Sequence, residues 1–255
     1  MEHLKESEWL VINKVLLELY GMEDIHILCE KTLKIFRMLI PYTKGYFILL
    51  NENHEIDIEQ SSFVGMTEQT YTNYMEAYYE KDYLNYVFEL SKEPTTYRDT
   101  DIMMDEMRKK TEFFREFLRP NNMPFGAGII LVKDTEILGV ISLFRGGELG
   151  DFSDKDLFIF DVLKEHMTNI VYQLKRVQKG EMVYKLDKLE RICKEYKLTG
   201  KEQEVAALIL EGKTNAQISE VMSISESTVK KHLYNLYAKV SVSNRLQFIT
   251  WLGNI

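Results

Sequence analysis

The chain has 255 residues, 45% of them apolar and 28% charged, with a net charge of −8, a composition that excludes a disordered or fibrous protein. No run approaches the ~20 apolar residues needed to cross a bilayer, and the acidic opening Glu2 to Glu8 lacks the basic stretch and apolar core of a signal peptide. Cys29 and Cys193 show no paired-cysteine spacing, so neither a disulfide framework nor a zinc site is expected, and the chain reads as cytoplasmic.

In chain order, apolar residues recur at helical spacing over Leu10 to Leu19 and again over Ile25 to Leu39, where Pro41 stops the run. Gly45 to Leu50 reads as a short strand, Asn51–Asn53 as a turn, and Ile56 to Val64 as an alternating strand. Residues 67–90 look helical and rich in tyrosine, Thr95–Tyr97 is a short strand, and 103–118 returns to helix. Two strands follow, Ala127 to Val132 and Ile137 to Phe144, joined by a hairpin loop at Lys133–Glu136. Strands joined by hairpins and mixed with helices predict an α+β domain, an antiparallel sheet with helices packed on it.

From Ser153 the pattern becomes one long helix, opened by a capping serine and first-turn acids. Phe160, Leu163, Met167, Ile170, Leu174 and Val177 recur at steps of three and four, a heptad seam. At Gly180 the phase slips by one, and Met182, Leu186, Leu189, Cys193 and Tyr196 resume the rhythm. Residues 157–170 read equally as a helix lying on its own sheet. Beyond Leu174 the surroundings are highly charged, which points to a dimer seam or a signalling linker. Charge shifts along the same route. Residues 1–174 hold 18 Lys and Arg against 31 Asp and Glu, residues 175–197 hold eight against four, and residues 198–255 hold six against five. An acidic front and a mildly basic rear suit a protein whose rear alone approaches nucleic acid. The expected division is a sensory and dimerisation domain over 1–175, a helical linker over 176–197 and an all-α unit over 198–255.

The rear unit is punctuated by caps. Thr199–Glu202 and Thr214–Gln217 are capping boxes, Gly212 stands where the first helix must end, and Ser225 caps a third helix running to about Val240. A short helix, a tight turn at Ser223–Ile224 and a longer helix make a helix-turn-helix. At ~100° per residue, Val229, Leu233, Leu236 and Val240 share the core-facing arc. Ser227, Lys230, Lys231, Tyr234, Asn235 and Ala238 lie opposite, a face with cations, an amide and a hydroxyl but no acid. Such groups can bond base edges or phosphate oxygens in a major groove.

Residues 198–245, through Gly212, Asn215, Ile218, Ile224–Ser225, Thr228–Lys230, His232, Lys239, Val242 and Arg245, resemble the LuxR/GerE-type DNA-binding domain. Ser219 departs from the usual alanine and Ser241 from the common glycine. The resemblance implies a recognition helix beginning near Ser225. Lys230, Lys231 and Tyr234 would stand at base edges, with Asn235 on the same face, while Thr214, Asn215, Ser225 and Thr228 would donate to phosphates. A fourth helix, about Arg245 to Leu252, is similar to the one that pairs two such domains on DNA, with Phe248 and Trp251 as its apolar face or as core.

The front offers no acidic pair and phosphoacceptor aspartate of a receiver, and its glycines lack the Lys-Ser/Thr tail of a phosphate loop. Tyr97–Asp99, Glu116–Pro120, the two long strands and Gly150–Asp156 resemble a GAF-like sensory domain over roughly residues 20–175. The run containing Tyr71, Tyr78, Asp82 and Tyr86 is similar to the aromatic-plus-aspartate stretch of acyl-homoserine-lactone receptors, without their tryptophan and without a proline after Asp82; core formation is the plainer role for these rings. The five histidines show no metal-ligand pairing and no nucleophile elbow occurs, so neither catalysis nor a resident cofactor is expected. The expected protein is a DNA-binding transcriptional regulator. Its expected partners are duplex DNA, a second copy of the chain, RNA polymerase and a small-molecule ligand, and no membrane. The rival readings are a quorum-sensing-type receptor of an acyl-homoserine lactone and a dimeric regulator whose front domain is only structural.

Overall fold

The computed structural model describes residues 4–254, the side chains at 68, 86, 181–185, 187 and 253–254 excepted. The chain divides into a front unit through Lys175 and a rear unit from Arg176. In the front, helices α1 (Glu6–Tyr20) and α2 (Ile25–Phe36) precede strands β1 (Lys44–Leu49) and β2 (Ser62–Val64). Short pieces follow: α3 (Glu68–Asn73), a π-type turn at Tyr74–Tyr78, a tight turn at Tyr79–Lys81, α4 (Asn85–Leu90), β3 (Thr95–Arg98), α5 (Asp99–Ile102), α6 (Asp105–Arg108) and a second π-type segment at Phe113–Leu118. Strands β4 (Phe125–Lys133) and β5 (Glu136–Arg145) then lead to the long helix α7 (Asp154–Glu195). All pairings are antiparallel, in the order β2-β1-β5-β4-β3. The predicted architecture, an antiparallel sheet with flanking helices followed by a helical unit, is what the structure shows.

The sheet is buried on both faces, which is why β4 and β5 read as unbroken apolar runs. Phe47, Leu49, Ile129, Leu131, Ile141 and Leu143 face α1, α2 and α7, while Tyr46, Ile48, Ile130, Val132, Val140 and Phe144 face the short pieces between β2 and β4. Between β4 and β5 the loop narrows to Asp134 and Thr135, both at positive φ (51° and 68°). This pair of left-handed residues matches the right-handed twist of the strands, a fit that outweighs the strain of a β-branched threonine there.

Three elements depart from their predicted form. Ile56–Val64 is not one strand: only Ser62–Val64 pairs with β1, because Asp57 bonds forward to Gln60 N and its carbonyl accepts from Ser61 Oγ, closing a local turn. The helix expected over 67–90 is broken at Asp82, whose carboxylate turns inward and accepts the Leu84 N–H at 2.9 Å. The helix expected over 103–118 is likewise interrupted after Arg108, whose buried guanidinium is drawn to Asp99.

The heptad seam also needs correction. Phe160, Leu163, Met167 and Ile170 are buried in the core between α7 and the sheet, so this half of the seam covers its own sheet. Leu174 packs on the edge of that core and Val177 is exposed. Beyond it, Leu189, Ile192 and Cys193 are buried in the rear core despite their charged surroundings; Met182 lies outside the described side chains. α7 continues through Gly180 without a break. Among the described residues no helix is long and apolar enough to cross a membrane.

Leu163→Ala is expected to cost the front unit about 2–5 kcal/mol, as large-to-small changes in a packed core do. Chemical denaturation measures it, and an unchanged midpoint would return Leu163 to a free seam.

Candidate nucleic-acid interface and front cavity

The rear unit adds α8 (Gly200–Leu210), α9 (Asn215–Val221), α10 (Glu226–Lys239) and α11 (Arg245–Asn254) to the end of α7. Each start is capped as its sequence requires. Thr199 Oγ1 accepts from Glu202 N, Thr214 Oγ1 from Gln217 N and Ser225 Oγ from Thr228 N, and both capping boxes close. Gly212 takes φ +83° after α8, and Ser223 at φ 53° makes the turn between α9 and α10. Ser241, at φ 59°, occupies a left-handed position after α10, which is where a glycine carries no strain.

Val205, Ile209, Ile218, Val229, Leu233, Leu236 and Phe248 close one core. Two cations are fixed by it. Lys239 Nζ donates to the buried Glu202 carboxylate at 2.6 Å and to Lys197 O at 3.1 Å, and Arg245 Nη2 donates to Ile209 O at 3.1 Å. Burial would raise the Glu202 carboxyl; the Lys239 bond and the Thr199 N–H and hydroxyl more than reverse this and hold it below the usual carboxylate range. Lys230 and Lys231 are different. Both are exposed, and among the described residues neither is drawn into an ion pair.

The expected contact residues therefore gather on one side of α10 and at the two helix starts. Tyr234 is 74% exposed beside Lys230 and Lys231, and Asn235 is half-buried on the same flank. Thr214 and Ser225 are the N-caps of α9 and α10, Thr228 lies in the first turn of α10, and Asn215 opens α9. The Thr214 hydroxyl, which accepts a backbone N–H, keeps its own proton for an anion; the Ser225 hydroxyl is shared with those of Ser227 and Thr228 at 2.8 Å, and the positive helix ends point the same way. One acid flanks this face, the exposed Glu226 in the first turn of α10. Phe248 is fully buried and Trp251 packs edge-on to Tyr196 and against Phe248, so both belong to the core; Leu246 is the exposed apolar group of α11.

On the sheet face away from α7 the front unit holds two adjoining pockets that share Tyr46, Ile48 and Tyr74 as the lobes of a cavity. Its larger lobe, about 350 Å³, is lined by Tyr46, Ile48, Ile56, Tyr74, Phe88 and Val140 among others. Tyr46, Ile48 and Tyr74 also line a small lobe of about 20 Å³ that Asp82 and Asp99 reach. Tyr74 OH donates to Asp82 Oδ2 at 2.9 Å, Tyr83 OH to Asp99 Oδ1 at 2.5 Å, and Tyr97 OH meets Ser142 Oγ at 2.6 Å. Of the ligand residues expected from sequence, Tyr71 and Asp82 line the small lobe. Tyr78 instead packs on Phe117, outside both linings, and the Tyr86 side chain lies outside the described residues. Tyr46, Tyr74 and Asp99 were missed. The signal for Tyr46 was an isolated polar tip inside an apolar strand.

Burial pushes the Asp82 carboxyl up to about 7, against the Leu84 N–H and Tyr74 hydroxyl that favour its charge, and pushes Asp99 up to about 6 against the Arg108 guanidinium. A carboxyl near 4 when unfolded that titrates near 7 when folded holds more protons in the native state between those values. Stability therefore falls as pH rises through that window. Asp82→Asn is expected to remove on the order of 2–4 kcal/mol of that decline, read from melting temperatures at pH 5 and pH 8; identical pH profiles for the two proteins would contradict it.

Comparison with known proteins adds the following. Residues 196–252 match the GerE family model, described as bacterial regulatory proteins, luxR family. The chain is 27% identical over 224 residues to a monoamine regulon transcriptional regulator of Klebsiella aerogenes, covering 87% of this chain and 89% of that one. It is 44% identical over 57 residues to the CsgBAC operon transcriptional regulatory protein of Escherichia coli, 22% of this chain and 26% of that protein. Among solved structures, the GAF domain of the cyanobacteriochrome TePixJ is similar with a TM-score of 0.48 and 15% identity, covering 62% of this chain and 94% of that one. Matched in sequence from Tyr196 to Leu252 and built as a capped helix-turn-helix with a free basic face, the rear of the chain is a regulatory domain of the bacterial luxR family.

Proposed function

We propose that the protein is a transcriptional regulator that binds duplex DNA as a homodimer through α10 and senses a small molecule in its front unit. The observation that carries this reading is the exposed face of α10. Lys230, Lys231 and Tyr234 project from it, among the described residues without partners that would hold them back, while Lys239 and Arg245 of the same unit are tied into its framework. Cations left free on a capped recognition helix suit a groove lined with phosphates. The names of the two relatives support regulation of transcription. A regulator of this kind works in the cytoplasm and acts on transcription through contact with RNA polymerase.

Lys231→Ala and Tyr234→Ala are each expected to cost about 1–3 kcal/mol on the operator selected from random duplexes, and less on unrelated duplex. Thr228→Ala, at a phosphate-facing cap, is expected to weaken both about equally. Titration of the full chain on both duplexes at two salt concentrations checks this. Equal losses on both for all three variants would show that the base-reading face is misassigned.

Reading two half-sites at once needs two recognition helices about one DNA turn apart. With the first half of the α7 seam occupied by its own sheet, α11 offers the pairing surface. Leu246 is 73% exposed there, beside Val242, Thr250 and the edge of Trp251. Leu246→Glu is expected to weaken operator binding at least tenfold, because linking two units raises their effective concentration on DNA, and to leave the melting temperature unchanged. Operator binding equal to wild type would place the pairing surface elsewhere.

A further inference from the structure

The cavity of the front unit is divided by size and by chemistry. Its larger lobe, about 350 Å³, is mostly apolar, with Ile56, Phe88 and Val140 in its wall. The small lobe, about 20 Å³, has room for a single water-sized group. The two carboxylates of that lobe are not equivalent. Asp99 has its cation, the Arg108 guanidinium at 2.9 Å. Asp82, only 5% exposed, takes a neutral hydroxyl from Tyr74 and the N–H of Leu84, and among the described residues no Lys or Arg pairs with it. No Lys or Arg lines either lobe.

We infer that this cavity binds a primary amine with a compact apolar body, its ammonium seated in the small lobe against Asp82 and its body in the larger lobe. The inference rests on the sensing role proposed above and names the chemical class of what is sensed. An ammonium is about the size of a water and carries three donors, which suits a lobe of this volume. Tyr46, Tyr74 and Phe117 line the same lobe, and aromatic rings attract a desolvated cation. A buried carboxylate without a countercharge is costly, and a cation arriving beside it lowers that cost. A ligand carboxylate or phosphate would meet two acids and no lining cation. A neutral ligand would fill the space and give Asp82 no countercharge.

The test uses the full chain and calorimetric titration at pH 7.5 with ethylamine, 2-phenylethylamine and cyclohexylmethylamine. The matched uncharged probe is 2-phenylethanol, the matched anion is phenylacetate, and an N-acyl homoserine lactone is the neutral signal-like probe. At least one amine is expected to bind at least tenfold more tightly than the alcohol and phenylacetate. Asp82→Asn is expected to lose at least tenfold in amine binding and to keep its binding of the alcohol, with a circular dichroism spectrum like wild type. Preference for the alcohol or the lactone overturns the amine assignment and leaves the sensing role standing. Failure of every probe overturns the amine assignment, and binding of the selected operator in the same samples shows separately whether the regulatory reading survives. Unchanged amine affinity in Asp82→Asn also overturns it.

Discussion

Both faces of the β4–β5 hairpin are closed to water, and the rest of the front unit follows from that constraint. One face is covered by regular helices, and α7 lays Phe160, Leu163, Met167 and Ile170 on it in close contact. The other face is covered by short, interrupted pieces carrying many rings, among them Tyr74, Tyr83, Phe113 and Phe117. Regular helices can interdigitate with a twisted sheet and fill the space. Broken ones, turned inward at Asp82 and Arg108, do not. The cavity lies on the side where regular packing fails, and Asp82, which interrupts one of those helices, reaches its small lobe.

The two units treat charge in opposite ways. In the front, charge is taken inside: Asp99 and Arg108 pair in the core, and among the described residues no Lys or Arg pairs with the buried Asp82. Such groups cost free energy unless something compensates them, so an unpaired one beside a cavity is more informative than any surface ion pair. In the rear, the buried Glu202 carboxylate is met from the surface by Lys239, which ties α8 to the end of α10. Among the cations that remain outside, Lys230 and Lys231 stand on the face of α10 that the core does not need. A helix with a single buried arc leaves its opposite arc to function.

Much of this was legible in the residues, for a local reason. Caps, turns and strand alternation are decided within a few positions of the chain, and the rear unit is built almost wholly from such signals. Thr199, Thr214, Ser225 and Gly212 mark its boundaries and occupy the predicted places. The outward face of α10 follows from helical periodicity alone. The front was harder to read where a side chain competed with the backbone. Asp57 bonds its own neighbours and shortens β2, and Asp82 does the same and breaks a helix; neither choice has a periodic signature.

By itself, the sequence determined the long helices and the strands of the β4–β5 hairpin, that the sheet is antiparallel, and which side chains of the rear unit are offered to solvent, because each depends on spacing along the chain. The tertiary structure alone decided what those surfaces meet. A heptad seam is equally suited to a second chain or to the sheet beneath it, and only the packing of α7 on β4 and β5 assigns its first half to the sheet. Phe248 and Trp251 suit a dimer face as well as a core, and packing buries Phe248 against Tyr237 while Trp251 packs on Tyr196 at the core's edge. Asp82 becomes distinctive only when residues far apart in the chain, Tyr46 and Phe117 among them, close around it and exclude water, because burial is a property of the assembled fold and not of any one segment.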